Sequence, residues 1–405
     1  MASRLALSGT SRAIIPLVTA AMFADATFYA VISPLLPHYR DALSLSHFEI
    51  AMLFAAHPAG TVLVALPAAR LVNSHGPALA MTLGLVMLGV AAIVFGLVES
   101  YPVLVACRFV QGASAALVWC AGLARLQGVV APERRGAALG LAGAAAGAGS
   151  LSGPAFAALS TLIGIPATLI ALGGLGFVLA LALYAVGEAR GEHQVSAATA
   201  RLRSFFTEDL LRPAGVILIC GAVLGAVSTI APLRLADLGA GVVVIAVAFV
   251  LSAIGEVLMS PTAGAFSDRV GRTLPIRLAF GAAIPLLFVI GFAGSIPVTT
   301  LAVALNGAVI AVLWPLGTAV LSDRAEQLGR PPAEVFAFGV VAWSFGLGAG
   351  SLFCGAVAGA LGNGAGVAVL AAPCLLGLVL LGGDGPRDRT KFTSRLDPQT
   401  VNSVN

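Results

Sequence analysis

Twelve apolar runs set the limits on what this chain can fold into. They fall near 12–37, 48–70, 76–98, 102–126, 136–160, 164–187, 213–236, 241–266, 273–294, 297–321, 333–361 and 363–382. A hydrocarbon core about 30 Å thick takes roughly 20 helical residues to cross. Runs of this length specify an all-α integral membrane protein of twelve transmembrane helices. Composition agrees, with 59% of residues hydrophobic and only 10% charged, against about 25% charged in a soluble domain. A soluble enzyme is excluded. The 48 Gly and 22 Pro suit a bundle in lipid, where glycine permits close helix contact and proline is tolerated. The first run follows a short tail bearing Arg4 and Arg12 and lacks a small-residue cleavage site, so it is expected to be a retained span. Cys107, Cys120, Cys220, Cys354 and Cys374 all lie inside apolar runs without a C-x-x-C pair. They are expected to be small core residues, with no disulfide or metal framework.

The longest polar break, GEARGEHQVSAATARLRSFFTEDLLRP, lies between the sixth and seventh runs. It divides the chain into a six-helix half (1–187), a cytoplasmic linker (188–212), a second six-helix half (213–383) and a polar cytoplasmic tail (384–405). With both termini inside, all of the 22 basic residues except Arg40, Arg108 and Arg234 fall in cytoplasmic segments, which the positive-inside rule supports. The net charge of +4 comes from these one-sided loops, so no nucleic-acid partner is expected. The halves repeat. ARLVNSHG (69–76) aligns with GAFSDRVG (264–271), and GAGSL occurs at 147–151 and again at 348–352. A six-plus-six parallel repeat resembles the plan of major facilitator transporters, which bind substrate near the midplane between the halves.

Asp25 is the residue with most to say about function. Thirteen residues of helix separate it from Arg12, roughly 20 Å at 1.5 Å per residue, which places it near the centre of the slab. An aspartate there costs about 2.5–3.5 kcal/mol on insertion scales. Such residues face the bundle interior and mark ion, proton or substrate paths. Glu256 stands roughly 18 Å inward from Asp268, again near the midplane. It is either a second site carboxylate or half of a structural pair with Arg or His.

Four stretches carry a family resemblance. GAFSDRVGR (264–272) resembles the major facilitator loop motif G-x-x-x-D-R-x-G-R. The resemblance makes it a conformational latch: Gly264 lets helices approach, Asp268 pairs with a helix end or an arginine, Gly271 makes a tight turn, and Arg269 and Arg272 hold the cytosolic face. A topology-fixing charged loop is the plainer reading. The first-half counterpart has Asn73, Ser74 and His75 instead of Asp-Arg, so a latch there is weaker or differently built. RFVQGASAA (108–116) resembles the fourth-span motif R-x-x-Q-G, with Arg108, Gln111 and Gly112. Arg108 serves proton coupling or a gate, or else snorkels to the outer interface. GAAAGAGSLSGPAFAAL (143–159) resembles the fifth-span signature of antiporters, with Gly149, Gly153 and Pro154. Its small residues make a flat face for a close, sliding contact, and Pro154 adds a bend. DATFYAVISPLLP (25–37) resembles the first span of drug:proton antiporters, nearest the vesicular amine transporter-like branch, through Asp25, Pro34 and Pro37. LFAAHPAG (53–60) puts His57 where that branch has a basic residue. The chain departs from the branch in spans seven, ten and eleven, where Ser228 and apolar stretches replace carboxylates.

The reading is a twelve-span secondary transporter of the major facilitator fold, a proton-coupled exporter of small organic solutes, cationic or polar. Asp25 and Glu256 flank a central chamber where proton and solute compete. His57, Arg108, Tyr29 and Asn306 join them as binding candidates. His57 is a basic partner or proton acceptor, or is held by backbone carbonyls. Tyr29, Trp314 and Trp343 line the chamber or merely pack. Arg234 and Asp237 are expected to form a local surface pair. The expected partners are a small-molecule substrate, protons and the lipid bilayer of the cell membrane. The chain is expected to act as a monomer, without a cofactor, driven by the proton gradient. A proton-coupled uptake symporter is the first rival, and a membrane enzyme or sensor the second.

Overall fold

The computed structural model describes residues 9–130, 135–187, 208–328 and 332–380. Most of the linker 188–212 and all of the tail 384–405 fall outside these residues. The described residues form helices: α1 (Gly9–Ala42), α2 (His47–His75), α3 (Pro77–Leu97), α4 (Tyr101–Val129), α5 (Arg135–Ile163), α6 (Ile165–Val186), α7 (Glu208–Asp237), α8 (Val242–Val270), α9 (Thr273–Phe292), α10 (Ile296–Gln327), α11 (Pro332–Leu361), α12 (Asn363–Ala368) and α13 (Ala371–Leu380). Eleven are long and apolar enough to cross a membrane. The twelfth apolar run is broken into α12 and α13 by a turn at Val369 and Leu370. Pro373 accounts for the break, because it has no N–H and its ring crowds the carbonyl four residues back, at Val369.

Local chemistry fixes the helix ends. At the start of α2, the Glu49 N–H donates to Ser46 Oγ, and the Ser46 N–H donates to the Glu49 carboxylate at 2.8 Å. This reciprocal pair satisfies two donors that helix geometry leaves open. Gly76 ends α2 at φ 86° and Gly271 ends α8 at φ 88°. Both sit in the left-handed region that only glycine enters freely, at equivalent places in the two repeated segments.

The packing repeats with a shift of six helices. In the first half α1 packs on α5, α2 on α4, and α3 on α6. In the second half α7 packs on α11, α8 on α10, and α9 on α12 and α13. Two symmetric contacts join the halves, α2 with α11 and α5 with α8.

Charged groups mark the two ends of the bundle. At one end, Arg40 Nη1 donates to Asp237 Oδ1 at 2.8 Å, and Asn363 Nδ2 donates to Asp237 Oδ2 at 2.5 Å. This Arg40 end therefore ties α1 to α7 and α12. The sequence pairing of Arg234 with Asp237 is corrected here. Arg234 Nη2 instead donates to the Ala293 carbonyl at 3.0 Å, capping α9. The opposite, basic end carries the α2–α3 and α8–α9 turns. There Arg272 Nε donates to Asp323 Oδ2 at 2.6 Å, and Arg125 donates to the Gly187 carbonyl at 2.5 Å.

The α2–α11 contact lies toward the Arg40 end. Gly355 faces Ala51 and the His47 carbonyl, Ser351 Oγ donates to the Ala51 carbonyl at 3.2 Å, and Gly348 meets Pro58. Beyond Pro58 the same stripe of α2, Val62, Ala65 and Ala69, is only half-buried. The crevice between the halves therefore widens toward the basic end.

Candidate functional site

Asp25 lies at the middle of α1 and is buried. Trp119 Nε1, from α4, donates to its Oδ2 at 3.0 Å, while Oδ1 has no hydrogen-bond partner among the described residues. No ion pair neutralises it among the described residues. One turn further along α1, Tyr29 collects the rest of the cluster. Its ring centroid lies 5.0 Å from that of His57 and 5.9 Å from that of Phe54, both on α2. The Arg108 guanidinium, from α4, stands 6.0 Å from the Tyr29 centroid, within cation–π range.

Arg108 is fully buried. Its Nη1 donates to Gln111 Oε1 at 2.9 Å, across one turn of α4. Nε and Nη2 have no hydrogen-bond partner among the described residues, nor does Gln111 Nε2. This overturns the snorkelling alternative, since the guanidinium stays inside the bundle instead of reaching an interface. It acts electrostatically on Asp25, Tyr29 and His57 without touching the carboxylate. His57 is buried, and no backbone carbonyl holds its Nδ1. The structure thus brings Asp25, Tyr29, His57, Arg108 and Gln111 into one polar cluster. Dense helix contact keeps it in place. A Cβ on Gly112 would overlap the His57 carbonyl, and one on Gly60 would overlap the Phe109 carbonyl. Only bare backbone lets α2 and α4 bring His57 and Arg108 this close.

Glu256 lies at the middle of α8 and is exposed. Its exposure is not to lipid. The lipid-facing residues Leu251, Ile254 and Leu258 point roughly the opposite way at 100° per residue. Glu256 instead continues the stripe of Ala253 and Ser267, both buried. It is close enough to act on Tyr29 of α1 and Cys220 of α7, so it opens into the crevice between the halves. The structural-pair reading fails too, because no Arg or His forms an ion pair with it among the described residues.

Asn306, on α10, is buried with its Oδ1 unpartnered, and no hydrogen bond ties it to the cluster. Trp314 and Trp343 pack edge to face, with centroids 5.5 Å apart. Gly149 and Gly153 of α5 press on α1. A Cβ at Gly149 would fall 2.5 Å from the Phe23 carbonyl, and one at Gly153 would fall 2.7 Å from the Thr27 carbonyl. Pro154 lies inside a helix that continues to Ile163. In the α8–α9 motif, Gly271 makes the turn and Arg272 clamps Asp323 of α10. Asp268 and Arg269 are exposed and make no ion pair among the described residues. The expectation for Gly264 is corrected, since nothing lies within 4 Å of where its Cβ would be. It mediates no close helix approach in this shape.

Two functional elements escaped sequence reasoning. Trp119 follows Asp25 by 94 positions, and no local pattern links them. The available signal was a tryptophan two turns past Gln111, on the same face of α4 as Arg108 and Gln111. The Arg40–Asp237–Asn363 cluster joins residues still further apart.

Comparisons with known proteins bear on this arrangement. The MFS-type transporter ppzB of Metarhizium majus (strain ARSEF 297) is 32% identical over 140 residues, 33% of this chain and 30% of that protein. An uncharacterized MFS-type transporter, C18.02, of Schizosaccharomyces pombe (strain 972 / ATCC 24843) is 31% identical over 133 residues, 31% of this chain and 30% of that protein. The match thus spans less than a third of the length of these curated relatives. Among solved structures, the nucleoside transporter NupG superposes with a TM-score of 0.75 at 11% identity, covering 91% of this chain and 98% of that one. A D-xylose-proton symporter gives 0.72 at 17% identity, covering 93% and 98%. Identities this low speak to the fold alone. The family model described as Major Facilitator Superfamily matches residues 18–331 and, overlapping them, 214–401. With matches that run over most of the chain and an all-helical bundle of the same fold, the chain belongs to the Major Facilitator Superfamily.

Proposed function

We propose that the protein is a proton-coupled secondary transporter that exchanges protons for a small organic solute, cationic or polar, by alternating access. One observation carries the reading. Two mid-span carboxylates, Asp25 on α1 and Glu256 on α8, lie on inward faces of opposite halves, and neither has an ion-pair partner among the described residues. A carboxylate this deep is tolerated where a proton or a cationic solute neutralises it in turn. The basic end faces the cytoplasm, both termini included, and the halves 1–187 and 213–383 rock about the site. Solute arriving from the cytoplasm takes the deprotonated site, and protonation from the far side expels it. One proton entering down 100 mV supplies about 2.3 kcal/mol, roughly 50-fold in solute concentration. Asp268, Arg269 and the Gly149–Pro154 face serve the rocking, and the resemblance to drug:proton antiporters rests on Asp25, Pro34 and Pro37 of the first span together with Gly149, Gly153 and Pro154.

The test is reconstitution into proteoliposomes with an internal pH dye and a panel of organic cations and neutral solutes. Wild type should move a solute against its gradient with proton flow in the opposite direction. Asp25→Asn should lose proton-driven transport while keeping downhill exchange of the same solute. Intact coupling in Asp25→Asn would remove Asp25 from the mechanism. A second reading, uptake of an anionic metabolite together with a proton, is favoured by the unpartnered Nε and Nη2 of Arg108, donors suited to a carboxylate. Solute and proton moving in the same direction would select it.

A further inference from the structure

We propose that the groove between α8, α9 and α10 is a binding site for one anionic phospholipid, with an acyl chain in the groove and the phosphate on Arg269. The groove has a volume of about 650 Å³. Ala263, Ala279, Ala282 and Ala308 form its small-residue floor, and Met259, Phe266, Leu278 and Leu305 form exposed walls. Its one hydroxyl is already satisfied, as Thr262 Oγ1 donates to the Met259 carbonyl at 2.8 Å. The occupant must therefore be hydrocarbon along its whole length. From Pro275 to Leu286 the α9 wall rises roughly 16 Å at 1.5 Å per residue. That is about one leaflet of a 30 Å core.

The polar end of the occupant is set by what closes the groove at the basic end. Thr262, Phe266 and Arg269 follow one another on a single stripe of α8, at four- and three-residue steps. Arg269 therefore sits just past the last apolar wall residue, at headgroup depth. It is exposed and makes no ion pair among the described residues. Beside it, Arg272 is held by Asp323 of α10. Arg269 is thus the one charge on the groove's own stripe of α8, with Asp268 about 100° round the helix from it. A second apolar cleft shows the contrast. Between α3 and α4, Val90, Val94, Pro102 and Val110 line about 320 Å³; Arg108, which neighbours this wall in the chain, is fully buried in the bundle, and the exposed charge next to the cleft along the chain is the acid Glu99 in the α3–α4 turn. That cleft would repel the same headgroup. Because α8 also carries Glu256, an occupied groove would bias the helix that bears the crevice carboxylate. The site itself does not depend on what the protein transports.

The full-length protein in detergent would be titrated with dioleoyl phosphatidylglycerol or dioleoyl phosphatidylcholine, and bound lipid counted by native mass spectrometry. One phosphatidylglycerol should bind about fivefold more tightly than phosphatidylcholine. That ratio corresponds to about 1 kcal/mol per arginine near a charged lipid surface. Arg269→Gln should bring the ratio to about one. Ala282→Trp, an exposed floor position, should exclude both lipids by filling the groove. Glycerol 3-phosphate, which has the anion but no chain, should not displace the bound lipid. Equal binding of the two lipids to wild type, an unchanged preference in Arg269→Gln, or displacement by glycerol 3-phosphate would each overturn the proposal.

Discussion

Asp25 and Glu256 carry the same charge in different surroundings, and that difference decides how each responds to substitution. Trp119 spends its indole N–H on Asp25 at 3.0 Å. A hydrogen bond to a charged group contributes about 1.5–3 kcal/mol, and the planar indole fixes which oxygen stays open. Trp119→Phe removes the donor and keeps an aromatic ring, a smaller one, at the site. It should leave the fold intact but slow proton-coupled flux by about tenfold or more, as read in proteoliposomes against downhill exchange. An unchanged coupled rate would reduce Trp119 to packing. Glu256 is exposed within the crevice and makes no ion pair among the described residues. Glu256→Gln should therefore change stability by no more than about 0.5 kcal/mol. The same variant should raise KM for cationic solutes and spare neutral ones, and a uniform change across the panel would argue against direct contact with the solute.

Helices set how closely these residues can meet, and the tight crossings are where substitution acts most strongly. Gly112 packs so near the His57 carbonyl that an added methyl must push α2 and α4 apart. Overpacking of this kind costs about 1–3 kcal/mol. Gly112→Ala should lower the detergent melting temperature and weaken transport together. Gly140, with nothing within 4 Å of its Cβ position, provides the control. Gly140→Ala should be neutral or stabilising by up to about 1 kcal/mol, the difference in helix propensity. The helices themselves were legible in the sequence, because lipid forces long apolar runs to satisfy their own backbone. The α2 start and the Gly76 and Gly271 turns were equally local, written in Ser46, Glu49 and residues with positive φ. Pro373 was also present in the sequence, yet the run read as one span, since hydropathy counts the proline as apolar and is blind to its missing N–H. The contacts of the site were legible only in part. Arg108 and Gln111 meet across one helical turn, a spacing any sequence reveals. The Trp119 bond to Asp25 depends on how α1 crosses α4, and crossing geometry leaves no periodic trace in either helix.

The shape of the whole molecule follows from where the halves touch. Across the Arg40 end, α1, α7 and α12 are tied through Asp237, and α2 meets α11 from Gly355 to Gly348. At the basic end Asp268 and Arg269 find no opposite charge among the described residues, as suits a released latch beside an open crevice. The Arg40–Asp237 pair is then a lock on the far side, and its strength can be bounded. Both side chains retain some exposure, 19% for Arg40 and 38% for Asp237. Exposed ion pairs contribute about 0.2–1 kcal/mol, so the lock biases the two-state equilibrium by at most about fivefold. A lock that weak lets the halves part during a cycle, whereas a dry ion pair would hold them shut. Asp237→Asn keeps the side-chain shape and can still pair with Asn363, but it discharges the bridge to Arg40. Ser351, fully buried against α2, reports the opening. In a background with the native cysteines replaced, Ser351→Cys should react with a membrane-impermeant maleimide about two- to fivefold faster when combined with Asp237→Asn. Arg40→Gln should produce the same acceleration, and the two substitutions together should add nothing further, since they break one interaction. Full additivity of the pair, or labelling that ignores both, would show that the α2–α11 packing alone closes the far side.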